Sequence, residues 1–218
     1  MRRLFLTLAA AAALCGAGQA SAESMEQHGQ ILIVPCSSAL LLQVDTSLRP
    51  LWQSLQVTIN NLTNADRRIF VETDDAFNIR RLVIVQFETV IPGADFRFVY
   101  PPKPPAVYGD FTYRFGAYVY DDERAAARFP DKEAGRTRAL LLNRGFKLPR
   151  LLRTARLARV ADPAGLSEVI IFYMENADAD YPAGPLSGAD DDGDLSLDTA
   201  AGEQMLERLK TAVHLIAG

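Results

Sequence analysis

Arg150-Leu151-Leu152-Arg153-Thr154-Ala155-Arg156-Leu157-Ala158-Arg159-Val160 is the stretch on which the architecture turns. Its arginines recur at every third position, a spacing that fits neither the 3.6-residue period of a helix nor the two-residue period of a strand. The residues that follow resolve it. Asp162-Pro163-Ala164-Gly165 is a turn signal, and Val169 to Met174 beyond it is a β-prone apolar run. A hairpin in which 154–160 pairs with 168–174 is therefore expected.

Working upstream, Ile31 to Val34 and Leu40 to Val44 read as short strands. Leu48, Leu51, Trp52 and Leu55 fall at helical spacing with Pro50 admissible in a first turn, so a helix is expected over 47–54. Residues 55–60 fit helix and strand equally. Ile69 to Glu72 and Leu82 to Val90 are strands, and Leu82-Val83-Ile84-Val85 is apolar on both faces, as in a central strand. Phe96, Phe98 and Tyr100 alternate with Asp95, Arg97 and Val99 and predict a further strand. The prolines at 101, 102, 104 and 105 must leave the sheet. Phe111 to Tyr120 is a strand in which aromatic parity changes between Phe115 and Tyr118, predicting a bulge at Gly116.

Asp121-Asp122-Glu123 caps a short Ala-rich helix that stops before Pro130, and Asp131 opens a second helix ending at Gly145. Met205, Leu206, Leu209, Val213 and Ile216 form one stripe of an amphipathic helix that starts after Asp198 or Thr199. The expected fold class is α+β: an antiparallel sheet of about 6–7 strands, a long C-terminal helix and a helical insertion at 121–144.

The chain has 218 residues, 49% of them hydrophobic and 23% charged, with a formal net charge of −4. These values exclude a disordered chain, a disulfide scaffold and a generic nucleic-acid binder. Arg2 and Arg3, the apolar stretch from Leu4 to Gly16 and Ala20-Ser21-Ala22 have the form of a bacterial secretory signal peptide over 1–22. The apolar stretch is shorter than a membrane span, and no later segment approaches one. The expected organisation is a signal peptide, a polar tail over 23–30 and one domain over 31–218, in a periplasmic or secreted protein with no transmembrane segment. Loss of the signal takes the charge to −6 and leaves Cys36 as the one cysteine, buried at the end of a strand.

Histidine is confined to His28 and His214, which argues against histidine-dependent hydrolases and histidine-rich zinc sites. Carboxylate chemistry stays open, since Glu88, Asp110 or Asp121 could line a pocket. No cofactor is expected apart from a weak calcium motif. There Asp190, Asp192 and Asp194 surround Gly193 with EF-hand-like alternation, but Gly188 and Thr199 stand where the first and last ligands belong.

Ten of the nineteen aromatics lie between Phe87 and Tyr120. Phe96, Phe98, Tyr100, Tyr113, Phe115 and Tyr118 are the candidate ligand-binding residues: on strands they form either core or the wall of a cavity. From Ala134 to Arg159 there are eight basic residues and no acid, and from Val160 to Glu207 twelve acids and no base. The two blocks either pair within the fold or present an anion-binding face made of Arg150, Arg153, Arg156 and Arg159. The expected function is a non-catalytic protein that binds an apolar or amphiphilic ligand or an anionic envelope component, with no nucleic acid. The alternatives are an interaction module assembling through its basic and acidic surfaces, a homo-oligomer included, and a histidine-independent enzyme.

Overall fold

The computed structural model of the chain describes residues 24–37, 40–100, 105–181, 186, 188–189 and 194–216. The expected signal peptide lies outside them. Among the described residues, twelve strands form two antiparallel sheets accompanied by three α-helices, an α+β arrangement. The small sheet joins β1 (Glu26–His28), β2 (Ile31–Val34), β3 (Leu40–Val44) and β12 (Val213–Ile216) in that spatial order. The large sheet is built from β4 (Arg49–Ile59), β5 (Thr63–Thr73), β6 (Ile79–Val90), β7 (Pro105–Tyr108), β8 (Phe111–Asp121), β9 (Leu151–Val160), β10 (Ser167–Asn176) and β11 (Leu195–Ser196). Its spatial order is β11-β8-β9-β10-β6-β5-β4, with β7 also paired to β8.

The hairpin expected around residues 162–165 is present, with Thr154 opposite Met174 and Val160 opposite Glu168. Asp162 builds its turn by accepting from the Ala164 and Ser167 amides and the Ser167 hydroxyl, while Gly165 takes φ +70°. On a strand, a spacing of three alternates faces, so Arg153 and Arg159 point to one side of β9 and Arg156 to the other.

The large sheet buries both faces. On one, Val83, Val85, Phe87, Leu157, Val169, Ile171 and Tyr173 pack against the small sheet and helix α3 (Thr199–Ala212). Asp198 caps α3 by accepting from the Ala201 amide at 2.8 Å. The opposite face carries Ile69, Val71, Leu82, Ile84, Leu152 and Met174, over which lies Leu141 of α2 (Glu133–Asn143). Helix α1 (Asp122–Arg128) precedes α2 and is capped by Asp121, so both helices of the expected insertion are present.

The expected helix over 47–54 is instead the first half of β4. A register shift sets Leu51 opposite Ile69 and Leu55 opposite Arg67, so four residues of β4 match two of β5 and the two leucines share a face. That bulge, on an edge strand that also tolerates Pro50, produces the helix-like spacing; Trp52 within it is 69% exposed. The bulge expected at Gly116 is absent, because β8 pairs β9 in unbroken register from Arg114 to Asp121. Phe96 to Tyr100 is extended but joins no ladder, and crosses the β9–β10 turn through a bond from the Phe98 amide to the Gly165 carbonyl. The chain does not close on the helical stripe: α3 stops at Ala212, and Val213 and Ile216 belong to β12. Of the segment expected as a polar tail, Glu26 to His28 form β1 and Met25 is buried.

Candidate functional site

On the α2 side of the large sheet the strand registers lay side chains in rows. Val71, Leu82, Met174, Thr154 and Tyr118 make one row across β5, β6, β10, β9 and β8. Two residues along the strands come Ile69, Ile84, Phe172, Arg156 and Gly116. The next row holds Arg67, Gln86, Ile170 and Ala158, and the one after it Ala65, Glu88 and Glu168. Since each two-residue step advances about 7 Å, the face grades from apolar to charged over roughly 20 Å.

Helix α2 covers the apolar end and leaves a cavity of about 360 Å³ against the sheet. Its lining includes Leu82, Ile84, Leu141, Leu152 and Met174 at one end and Arg67, Arg156, Glu88, Glu168 and Gln86 at the other. Glu88, Arg156 and Glu168, at its charged end, also line a groove of about 320 Å³ under Phe96 to Tyr100.

Arg67 is 4% exposed. One terminal nitrogen, Nη1, donates to the Glu133 carbonyl at 2.9 Å and the Thr137 hydroxyl at 2.7 Å, tying α2 to the sheet. Its Nε has no partner, and neither Arg67 nor Arg156 has a carboxylate within 4 Å among the described residues. The two guanidinium groups lie 5.8 and 5.9 Å from the centroid of the same ring, Phe172. Burial lowers the pKa of both arginines.

Glu88 and Glu168 are direct cross-strand partners, which sets their Cβ atoms about 5 Å apart. Glu88 accepts from the Thr63 hydroxyl at 3.0 Å and from the Gln86 amide, and Glu168 accepts from the Tyr100 hydroxyl. Burial, with Glu88 beside it, pushes the Glu168 carboxyl up to about 8, and burial raises Glu88 as well. Gln86, buried between the two charge types, leaves Oε1 without a partner. Burial pushes the Tyr118 phenol up to about 12, so this group on the wall keeps its proton.

The six aromatics singled out in the sequence do not form one wall, although Phe96 and Phe98 meet edge to face at 5.1 Å and Tyr100 and Tyr113 line a common pocket. Tyr118 lines the cavity, Phe96, Phe98 and Tyr100 line the adjoining groove, and Tyr113 and Phe115 face the other side of the sheet under α3. The four arginines separate as well. Arg150 pairs with Asp121 at 3.1 Å, Arg153 with Asp180 at 2.9 Å, and Arg159 stacks 4.0 Å over Phe111 on the face opposite Arg156. Asp190 and Asp192 lie outside the described residues, and Asp194 immediately precedes β11. Cys36, expected to be buried, is partly buried and packs against the core beneath the small sheet.

Of the polar residues at this end, Glu88 and Arg156 were candidates from the sequence, while Arg67, Gln86 and Glu168 were not. Asp66-Arg67-Arg68 looks like a polar connection. The available signal was parity: carried back from Val71 and Ile69, the inward face falls on Arg67, Ala65 and Thr63.

The chain matches no protein-family model, no curated protein and no solved structure.

Proposed function

We propose that the protein is a non-catalytic, exported binding protein that holds a small amphiphilic ligand in the cavity between the large sheet and α2. The observation that carries this reading is Arg67, a fully buried cation with an unpartnered Nε and no carboxylate partner among the described residues, at the charged end of a cavity whose other end is apolar. An uncompensated buried charge is costly, and a ligand anion supplies the missing partner. A cavity of about 360 Å³ accommodates a single-chain molecule with its tail under Leu141. Internal pairs such as Arg153–Asp180 engage basic and acidic side chains within one chain, which favours ligand binding over assembly through complementary surfaces.

Native mass spectrometry of the purified protein tests the proposal. A copurified small molecule, lost in Arg67→Met, is the expected result. A ligand-free monomer that gains no thermal stability from short-chain anionic or zwitterionic amphiphiles overturns it, and a discrete ligand-free oligomer favours the assembly alternative.

A further inference from the structure

We infer that the ligand head is zwitterionic, with an anionic group next to the apolar tail and an ammonium group at the far tip. This rests on the amphiphile-binding reading above and adds the charge order of the head.

The order follows from the rows of the sheet. Along the sheet from the apolar end, the first charges met are Arg156, opposite Phe172, and then Arg67, opposite Gln86. Of the other charged residues on the wall, Asp122 is paired with Arg138, and Glu133 lies on α2 with its carbonyl bonded to Arg67. The carboxylates of Glu88 and Glu168 come one step of about 7 Å beyond Arg67. A tail seated between Leu82, Met174 and Leu141 therefore presents its first polar group to the two guanidinium groups and its last to the two carboxylates.

The charges require both groups. Neither arginine forms an ion pair within 4 Å with either glutamate, so cations and anions stand apart in one cavity. An anion alone would leave two carboxyl groups crowded beside it, and a cation alone would leave Arg67 and Arg156 uncompensated. A head that carries both satisfies the two pairs together. An ammonium between Glu88 and Glu168 also lets both ionise, so the proton that burial and Glu88 hold on Glu168 leaves for the buffer when the ligand binds.

The test is isothermal titration calorimetry of the full protein at pH 7 with four eight-carbon probes: octyl phosphoethanolamine, octyl phosphate, octylamine and 2-aminooctanoic acid. Octyl phosphoethanolamine is expected to bind about tenfold more tightly than the other three, with release of close to one proton when buffers of different ionisation enthalpy are compared. Glu168→Gln keeps the shape and the acceptor for Tyr100, and is expected to abolish proton release and bring octyl phosphoethanolamine to within about threefold of octyl phosphate. Equal binding of octyl phosphate and octyl phosphoethanolamine by the wild type overturns the zwitterion and leaves the amphiphile reading standing. Tighter binding of 2-aminooctanoic acid overturns the charge order, and binding of no probe overturns both readings. Cosedimentation with phosphatidylethanolamine vesicles identifies the source: the cavity accepts a free single-chain monomer, and vesicle binding without monomer binding counts against the inference.

Discussion

Glu88 on β6 and Glu168 on β10 stand directly opposite each other, two buried carboxyl groups on adjacent central strands. Like charges in that position destabilise a sheet, and the fold tolerates them because Glu168 holds its proton to about pH 8. Tyr100 donates to Glu168 from the strap above, and Arg156 lines the same groove from β9.

This pair fixes the sign of a pH effect. The unfolded Glu168 carboxyl loses its proton near 4.5, and the folded one near 8. Between those values the native state binds the extra proton, so its contribution to stability is full below about pH 4.5 and is lost as pH rises towards 8. Glu168→Gln removes the slope. Urea melts are expected to show the variant gaining about 2–4 kcal/mol on the wild type at pH 8 and matching it near pH 4. Parallel stability curves for the two proteins would falsify the raised pKa.

Arg67→Met is expected to leave unfolding stability within about 1 kcal/mol of the wild type or to raise it, because it removes a buried cation that has no ion-pair partner among the described residues. Ligand binding is expected to vanish. A loss of several kcal/mol in a urea melt would mean that the bonds from Arg67 to Glu133 and Thr137 outweigh the desolvation cost.

The preceding residue behaves oppositely. Asp66 Oδ2 accepts from the Met25 amide and from Arg68, both at 3.1 Å, and Arg68 in turn donates to the Met25 carbonyl at 2.6 Å. Asp66→Ala strands Arg68 and the Met25 amide in the interior, with an expected cost of about 3–5 kcal/mol. Thermal and urea unfolding measure it; a cost below about 1 kcal/mol would show that the clamp on the start of β1 relaxes into solvent.

Single glutamine substitutions along β9 separate pairing from binding. Arg153→Gln breaks a partly exposed pair with Asp180 and is expected to cost about 0–1 kcal/mol with no effect on binding. Arg156→Gln is expected to leave stability unchanged and weaken ligand binding at least about tenfold, since a half-buried charge on the cavity wall that meets its partner in the complex is lost. Calorimetry of both variants decides, and equal binding by the two removes Arg156 from the site.

Much of the large sheet was legible because its strands carry ordinary signals. The turn at 162–165 dictated the β9–β10 hairpin despite the arginine spacing, and Asp121 and Asp198 marked their helix starts by cap chemistry. β4 was not legible, since a bulge converts a two-residue period into one that mimics a helix over Leu51 and Leu55. β12 was hidden because Val213 and Ile216 continue the stripe of α3. The site itself was read only at Glu88, Arg156 and Tyr118, and not as one place. Row neighbours such as Arg67 and Gln86, or Glu88 and Glu168, meet through strand register, which pairs residues far apart in sequence and leaves no local pattern.

β12 lies beside β3, so the small sheet is closed by pairing Val213 with Val44 across the whole stretch of sequence that builds the large sheet. The loop-closure entropy of a contact so distant in sequence makes it late and slow to form. Until then Leu40, Leu42 and Val44 have no strand on their outer edge, and the core beneath α3 stays open. Closure of the small sheet thereby waits on the strands of the large sheet, all of which lie between β3 and β12 in sequence.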